Sequence, residues 1–391
     1  MMPDTKNLEE LRAQIDSVDR DILHLSARRA SLSTQIAKSK TDSGLGVRDS
    51  QRERDVMDRA IKLGEGLGLE ANGVERLFQT LIDVSLRGQR AQLDARADSE
   101  INEATVAYLG GPGTYSHFAA QAHFGPRHGA VAPVVRRDFS SIITAAQDGE
   151  ADYAFLPIEN TTTGGINEVY DLLLDSELTI VGEYHYRVRH CLVGRAGSVG
   201  AVRKIYGHPQ ALAQCRRYLS KLPDITQHFV SSSTRALEHA LEDGPGAAAI
   251  AGADAARLFG LNIVASEIGD AEENYTRFIA LAAKAVPPSL NLPCKTSLVF
   301  ATAHEPGSLV DVLTAFRNEG INLAKLQSRP VPGAAWEEMF FLDIERHQDD
   351  TACQKALKAL NEGARRVRIL GCYGADRLAP VSVLASDEKR V

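Results

Sequence analysis

The chain has 391 residues, of which 44% are hydrophobic and 24% are charged, and its formal net charge is −7 at pH 7. This composition is ordinary for a soluble globular protein, and the length predicts two to four domains. Because the chain is acidic and has no long Lys/Arg run, neither nucleic acid nor an acidic membrane surface is expected as its main partner.

The cysteines and the N-terminus together predict where the protein is located. The cysteines indicate a reducing compartment. The five cysteines are an odd number, lie far apart and form no Cys-x-x-Cys pair. They predict neither a disulfide framework nor a zinc site, and no metal or other cofactor is expected. The N-terminus runs directly into a charged amphipathic segment, and no apolar run reaches membrane-spanning length. We therefore expect a cytoplasmic protein without a membrane anchor.

The first predicted element is a long helix over residues 8–40, a stretch without Gly or Pro. Its apolar residues recur three and four positions apart, which is typical of a packed helical seam, and Arg29 occupies one position of that seam. At about 1.5 Å per residue the helix would be roughly 50 Å long. Because a domain of about 100 residues cannot bury such a seam alone, we expect an intertwined helical dimer.

Polar residues extend the apolar faces of three predicted helices towards one pocket. Arg29 and Lys40 are eleven residues apart, so at about 100° per residue their side chains point the same way, whereas Arg12 lies on another side. Taken singly, Arg29 at a seam edge and Lys40 at a helix end are also explained by structural roles. The second and third helices contribute Asp49, Arg52, Glu53, Ser85 and Gln89.

A pocket with several cations, one carboxylate and neutral donors suits a dianion that rearranges without covalent catalysis. Residues 8–90 resemble the all-helical chorismate mutase domain that is fused to prephenate dehydratase, matching at Arg12, Arg29, Lys40, Asp49, Arg52, Glu53, Ser85 and Gln89. The resemblance implies that Lys40 hydrogen-bonds the breaking ether oxygen of chorismate and that Glu53 binds the ring hydroxyl. It also implies that Arg29 and Arg52 hold carboxylates or the ether region, with Arg12 supplied by the partner chain.

Near residue 102 the pattern changes to short apolar strands alternating with helices, which predicts an α/β fold. A glycine-rich turn at 110–116 opens a helix and offers backbone N–H groups to an anion, without the spacing of a nucleotide-binding loop. A second strand ends at Glu159 and Asn160, before hydroxyls, glycines and another helix. Two lobes joined by crossings near residues 182 and 262 would place these loops around one cleft.

Residues 104–284 resemble prephenate dehydratase in the segments 110–116 and 157–160, with Gly165, and in Thr276-Arg277-Phe278. The resemblance implies that Thr276 is catalytic and that Arg277 binds the carboxylates of prephenate. The other substrate-binding residues that it implies are Thr114, Ser116, Glu159, Asn160, Thr161, Thr162, Gly165 and Phe278.

The chemistry of this reaction suits side chains alone, because loss of carbon dioxide and hydroxide from prephenate creates an aromatic ring. We expect Thr276 to donate a hydrogen bond to the departing oxygen rather than to transfer a full proton. Glu159 is either a carboxyl with a raised pKa or a structural partner of neighbouring Asn or Thr side chains. Taken alone, Thr276 and Arg277 are better explained as the polar entrance of a strand that faces water.

A proline-rich linker at 287–293 precedes a strand-helix-strand-strand-helix-strand pattern, which predicts a ferredoxin-like sandwich. This module resembles an ACT regulatory domain, which implies a phenylalanine site between paired domains at Gly307, Ser308, Leu309, Val310, Gln327, Ser328, Arg329 and Pro330. Ser308 and Gln327 depart from the usual alanine and glutamate, so the strength of feedback stays open. A domain that only dimerises is the alternative.

The sequence thus predicts a multidomain protein: an all-α chorismate mutase domain at 1–100, a two-lobed α/β prephenate dehydratase domain like periplasmic binding proteins at 104–284, and an α+β ACT domain at 295–378. We expect a bifunctional enzyme of phenylalanine biosynthesis that acts on chorismate and prephenate, is inhibited by L-phenylalanine and forms a homodimer or tetramer. The competing hypothesis is a non-catalytic amino-acid sensor, which gives no reason for Arg29 on a seam beside Lys40, Arg52 and Glu53.

Overall fold

The computed structural model describes residues 5–42, 50–97, 103–222, 224–285, 287–290, 292–302, 305–330 and 337–376. The chain divides into two compact units, a helical one that extends to Ala97 and a second one formed by Asp98–Leu290 with Cys294–Asp376. Among the described helices, each is too short or too polar to span a membrane.

The first unit consists of three helices, α1 (Thr5–Asp42), α2 (Ser50–Gly66) and α3 (Ala71–Ala97). The long helix predicted over 8–40 is confirmed, as expected for a stretch without a helix breaker. Both α1 and α2 pack on α3, around buried side chains that include Met57, Val74 and Ile82. The apolar seam of α1, in contrast, is exposed from Leu8 to Ile36.

The second unit begins with a sheet and three helices that together form the first lobe. The elements from 103 to 187 are β1 (Glu103–Leu109), α4 (Tyr115–His128), β2 (Ala130–Arg136), α5 (Phe139–Gln147), β3 (Tyr153–Asn160), β4 (Gly164–Gly165), α6 (Asn167–Asp175) and β5 (Thr179–Arg187). Strands β1, β2 and β3 are parallel, and short β4 pairs with the end of β3.

The second lobe is a five-stranded sheet in the order β10-β6-β9-β7-β8. Its elements are β6 (Cys191–Gly194), β7 (Lys204–Gly207), α7 (Pro209–Ala213), α8 (Arg216–Leu219), β8 (Thr226–Phe229), α9 (Ser233–Glu242), β9 (Ala247–Ala251), α10 (Ala253–Leu258) and β10 (Asn262–Ala265). The chain then returns to the first lobe as β11 (Tyr275–Ala282), which lies antiparallel between β3 and β5.

The predicted crossings near 182 and 262 are wrong in position. Gly182 lies inside β5, which stays paired with β11 up to Arg187, and Asn262 begins β10 in the second sheet. The chain passes between the lobes at 188–190 and 266–274. An apolar run shows that a strand forms, but its partner strands decide which sheet it joins.

The C-terminal part has the predicted strand-helix-strand-strand-helix-strand order, and the ferredoxin-like sandwich is confirmed. Its elements are β12 (Cys294–Thr302), α11 (Ser308–Asn318), β13 (Leu323–Pro330), β14 (Glu338–Ile344), α12 (Thr351–Gly363) and β15 (Ala364–Gly374). The strands form an antiparallel sheet in the order β13-β14-β12-β15.

This sandwich packs directly on the first lobe. Apolar side chains of both form one core, in which Ile180 and Ile279 of the lobe are joined by Val299, Phe341 and Leu370 of the sandwich. At the closest approach, a Cβ on Gly371 would lie 2.1 Å from the carbonyl oxygen of Ile180. Only glycine therefore lets β15 come this close to β5.

Candidate active sites

In the helical unit, α1 and α3 bring Arg29 and Ser85 together. The Arg29 Nη1 donates to the carbonyl of Leu81 and to the hydroxyl of Ser85, each at 2.6 Å. Ser85 is buried and donates to the same carbonyl at 2.8 Å. Partial burial lowers the pKa of Arg29, which nevertheless stays cationic because arginine titrates far above neutral pH.

The other residues predicted for this pocket are described only in part. Arg12 and Arg52 are exposed. Lys40, Glu53 and Gln89 lie on α1, α2 and α3, but their side chains fall outside the described part of the structure, as does the whole of Asp49. Their roles in the pocket stay predictions.

In the second unit, strand pairing places Thr276 of β11 directly opposite Asn160 of β3. The Asn160 amide donates to the Thr276 hydroxyl oxygen at 3.0 Å, and also to Asn274 Oδ1 at 2.7 Å and to the Tyr275 carbonyl at 3.1 Å. Because an amide NH₂ can only donate, Thr276 Oγ1 is the acceptor. Its own proton is thus not used in the hydrogen bond with Asn160.

The other end of the Asn160 side chain shapes the loop that follows β3. Its Oδ1 accepts from the backbone N–H of Thr162 at 3.0 Å and from the Thr162 hydroxyl at 2.5 Å. Thr161 Oγ1 accepts from the backbone N–H of Tyr275 at 2.9 Å. Asn160, Thr161 and Thr162, all predicted to bind substrate, therefore also hold the loop against β11.

The hydrogen bonds continue into the second lobe. Gln214 Nε2 donates to Thr162 Oγ1 at 2.7 Å, while Gln214 Oε1 accepts from Asn274 at 3.3 Å and lies 2.8 Å from His190 Nε2. Since Gln214 Oε1 can only accept, the proton of His190 is assigned to Nε2, and Nδ1 then accepts from the Tyr115 hydroxyl at 2.9 Å. Burial lowers the pKa of His190, which favours this neutral form.

The sequence interpretation missed these four residues, Tyr115, His190, Gln214 and Asn274. The sequence could have indicated two of them. Tyr115 lies inside the segment 110–116, which carries the family resemblance, and Asn274 lies two residues before Thr276. His190 and Gln214 sit in segments without a recognisable pattern. Only the folded chain brings them next to Asn160 and Thr276.

The glycine-rich turn faces the second lobe. Gly110 and Gly113 have φ values of +78° and +91°, and a Cβ on Gly113 would come within 2.8 Å of the Phe259 ring. Thr114 caps α4 by accepting from the His117 N–H at 3.3 Å, and Ser116 is buried in the first turn of that helix. From the second lobe, the Thr234 hydroxyl donates to the Pro112 carbonyl of this turn at 2.9 Å.

Arg277 does not face this cleft. Successive side chains of a strand point to opposite faces, so Arg277 leaves β11 towards the C-terminal sandwich. Its guanidinium donates to Glu183 at 2.8 Å, Glu159 at 3.0 Å, Asp343 at 2.6 Å and the Tyr373 hydroxyl at 2.9 Å, and the residue is 5% exposed. The structure therefore contradicts the prediction that Arg277 binds substrate carboxylates.

Of the two hypotheses for Glu159, the raised pKa is wrong, and the structural role has other partners than those predicted. Its carboxylate accepts from Arg277 and from Lys325 of the sandwich, not from Asn or Thr neighbours. Burial alone would raise the pKa of Glu159, but the charges of Arg277 and Lys325 outweigh burial and lower it. Phe278 likewise lies in the core, stacked on Phe155 with ring centroids 4.9 Å apart, rather than in the cleft.

The residues predicted for the effector site lie on two different surfaces of one chain. Gly307, Ser308, Leu309 and Val310 line an open pocket of about 500 Å³, where Val310 is 64% exposed. On β13, Ser328 and Pro330 are exposed, whereas Gln327 lies beside Gly165 of the first lobe. Arg329 binds Asp171 of α6 through two hydrogen bonds of 2.9 and 2.6 Å.

Across the described residues, there is no group of three or more His, Cys, Asp or Glu side chains that could hold a metal ion.

Three family models match the chain in order: chorismate mutase type II at residues 11–90, prephenate dehydratase at 106–286 and the ACT domain at 296–362. The bifunctional chorismate mutase/prephenate dehydratase of Escherichia coli (strain K12) is 37% identical over 375 residues, which cover 95% of this chain and 97% of the relative. The chain belongs to this bifunctional family.

Two solved structures are similar to about 70% of this chain. Prephenate dehydratase from Arthrobacter aurescens, in complex with L-Phe, is 29% identical with a TM-score of 0.63, over 71% of this chain and 93% of that one. A structure described as GqqA, a novel type of quorum quenching acylase, is 32% identical with a TM-score of 0.62, over 69% and 98% of the two chains. The helical unit is thus the mutase domain, the two lobes are the dehydratase domain and the sandwich is the ACT domain.

Proposed function

We propose that this chain rearranges chorismate to prephenate in the mutase domain and converts prephenate to phenylpyruvate in the dehydratase domain. The observation that carries the second activity is the hydrogen bond from Asn160 to Thr276, which leaves the Thr276 proton for a ligand. The match of the whole chain to bifunctional relatives supports the pairing of the two activities.

In the mutase domain, the reaction requires only that the dianion be held in a reactive conformer. Arg29 is fixed by Leu81 and Ser85 through Nη1, so its other N–H groups can serve a carboxylate or the ether region together with Arg52. Lys40 would then hydrogen-bond the ether oxygen, and Glu53 the ring hydroxyl. Asp49, Ser85 and Gln89 complete the pocket, with Arg12 from the partner chain.

In the dehydratase domain, the C–C bond to the departing carbon dioxide breaks and its electron pair enters the ring. The C–O bond of the ring hydroxyl breaks in turn, and the departing oxygen takes up a proton from water. Thr276 donates a hydrogen bond to this oxygen as negative charge builds on it. With Arg277 turned away, we assign the substrate carboxylates to the backbone N–H groups at the α4 N-terminus, with Ser116. The hydroxyl protons of Thr161 and Thr162 are already donated to the Glu273 carbonyl and to Asn160, so these two residues shape the loop instead.

Feedback inhibition by L-phenylalanine is assigned to the ACT domain. In a homodimer, the pocket at Gly307–Val310 of one chain would be completed by Gln327–Pro330 of the second, whose Ser328 and Pro330 are exposed. The exposed seam of α1 supports the same homodimer, because a second copy would cover its apolar side chains. We place this homodimer in the cytoplasm.

Two other functions are less well supported. A non-catalytic sensor would not need the Thr276 hydroxyl to be held as an acceptor, nor Arg29 to be fixed on the helical seam. Acylase chemistry, suggested by the name of one structural relative, requires an activated nucleophile. The hydrogen-bond partner of Thr276 is an amide, which cannot remove a proton, so this activity is not proposed.

The test is to follow chorismate loss and phenylpyruvate formation with purified protein, with and without L-phenylalanine. We expect turnover of both substrates and inhibition of the second reaction by the effector. Prephenate supplied alone separates the two activities. If neither substrate is turned over, the enzyme hypothesis fails and the sensor is favoured.

A further inference from the structure

Behind the catalytic strand lies a set of buried and half-buried charges that the dehydratase chemistry does not use. Three ion pairs join Arg277 to Glu159, Glu183 and Asp343, and two more join Lys295 to Glu183 and Lys325 to Glu159. We call these six residues the Arg277 cluster. It is a continuous network, because Arg277 touches every carboxylate in it.

The two domains share this cluster, and neither is balanced alone. The dehydratase domain contributes one cation and two carboxylates, whereas the ACT domain contributes two cations and one carboxylate. Buried charges need partners, so the cluster is neutral only when the ACT sheet is docked on the lobe. Asp343 is in turn fixed by the hydroxyl of Ser297 at 2.5 Å.

The cluster is close to both functional regions of the unit. Arg277 follows Thr276 directly on β11, and the ladder is irregular immediately after it, between Arg277 and Phe278. On the ACT side, Lys325 lies on β13, two residues before Gln327 at the start of the predicted effector segment, and Lys325 is the register partner of Asp343. A displacement of β13 therefore reaches Arg277 through Lys325 and Asp343.

We propose that the Arg277 cluster transmits the state of the ACT domain to Thr276. Arg277 is a positioning residue, because its guanidinium is shared between carboxylates of both domains while its backbone holds the catalytic threonine in place. Effector binding that shifts β13 changes which carboxylates Arg277 contacts. This in turn changes the position of the Thr276 hydroxyl relative to Asn160. This inference rests on the proposed dehydratase activity and on its inhibition by L-phenylalanine.

The test compares Asp343→Asn with Arg368→Gln in the full chain. Asp343→Asn removes a charge from the cluster with little change of shape. Arg368→Gln is the matched control, because Arg368 also joins the two domains, through the carbonyls of Leu174 at 3.0 Å and of Ser176, but lies outside the cluster. The measurements are dehydratase kcat and KM, the L-phenylalanine concentration for half-inhibition, L-phenylalanine binding by calorimetry, and the mutase rate.

We expect Asp343→Asn to raise the half-inhibitory concentration by about 5- to 150-fold, the range of typical coupling between sites. L-phenylalanine binding in the absence of prephenate and the mutase rate should stay within about threefold of wild type, which a general loss of folding would not allow. Arg368→Gln should keep the wild-type response. Lys325→Gln, at a half-buried position, should shift inhibition in the same direction as Asp343→Asn.

Several results would overturn the inference. One is a half-inhibitory concentration of Asp343→Asn within about twofold of wild type, and another is an equal shift in Arg368→Gln, which would indicate general loosening of the interface. Loss of all dehydratase activity in both Asp343→Asn and Lys325→Gln, without effector, would assign the cluster a purely structural role. If the wild type itself is not inhibited, the regulatory part of the proposed function fails together with this inference.

Discussion

The amide of Asn160 and the hydroxyl of Thr276 are joined by a 3.0 Å hydrogen bond between the paired strands β3 and β11. The bond makes the Thr276 oxygen an acceptor, so its single O–H points away from the Asn160 amide before a substrate arrives. Positioned donors of this kind act where charge develops in the transition state.

Replacing Thr276 by Val removes the hydroxyl while nearly keeping the shape of the side chain. We expect dehydratase kcat to fall by about 10²- to 10⁴-fold, because the departing oxygen loses its donor. The mutase rate of the same preparation should not change, and Thr276→Ser, which keeps a hydroxyl, should retain part of the activity. A near-normal dehydratase rate in Thr276→Val would remove this residue from the mechanism.

The substitution Asn160→Asp tests the direction of the same hydrogen bond. An ionised carboxylate can only accept, so the Thr276 hydroxyl would turn its proton towards the new carboxylate and away from the substrate. We expect dehydratase kcat to fall by about 10²-fold, the loss typical of one positioned donor, with a smaller change in KM. Steady-state kinetics with prephenate give both values, and an unchanged kcat would contradict the proposed role.

Replacing Arg29 by Ala should abolish the mutase and spare the dehydratase. The guanidinium is both the predicted anion ligand and a donor to α3, so we expect a fall in mutase kcat/KM of about 10²-fold or more. Ser85→Ala should have a smaller effect, since Arg29 keeps its 2.6 Å bond to the Leu81 carbonyl. Assays with chorismate and with prephenate on one preparation check this, and loss of both activities would indicate misfolding instead.

The charges behind β11 should make the second unit sensitive to acid. Burial opposes ionisation of Glu183, but Arg277 and Lys295 outweigh it and hold the pKa of Glu183 well below its ordinary 4.5. A carboxyl with a lowered folded-state pKa stabilises the protein above pH 4.5, and this contribution is lost as the pH falls further. The melting temperature, followed through dehydratase activity, should therefore fall steeply below about pH 4.5.

The variant Glu183→Gln is the control for this pH dependence. It should be less stable by about 3–5 kcal/mol near neutral pH, because Arg277 and Lys295 lose a buried partner. Its stability should also fall less steeply with acidification, since the titrating group is gone. A parallel pH profile for the wild type and the variant would assign the acid sensitivity to other groups.

The hydrophobic periodicity of the sequence was sufficient to predict much of the fold. The three-four repeat of α1 and the element order of the ACT domain are local properties, and both were predicted from the sequence. Thr276 and Arg277 were both assigned to the substrate site, although side chains alternate between the two faces of a strand such as β11. The partner of Arg277 could not be predicted, because Asp343 reaches it from 66 residues away in a different domain.

Contacts between residues that are distant in the sequence also could not be predicted in the cleft. Thr276 was found through its family motif, whereas Gln214 and His190 come from segments whose local pattern carries no signal. Glu159 was misjudged for a related reason: the direction of its pKa shift depends on Lys325, which approaches only when β13 docks on the lobe. Distant charges, unlike periodicity, are not encoded in neighbouring residues.

The charge balance of the Arg277 cluster limits how inhibition by L-phenylalanine can be removed from this enzyme by engineering. A chain truncated before Cys294 would keep Glu159 and Glu183 with one arginine between them, and would uncover the apolar face formed by Ile279 and Leu281. Truncation would thus damage the strand that carries Thr276. Point substitutions on the ACT side, which leave the sheet docked, are the route that the architecture favours.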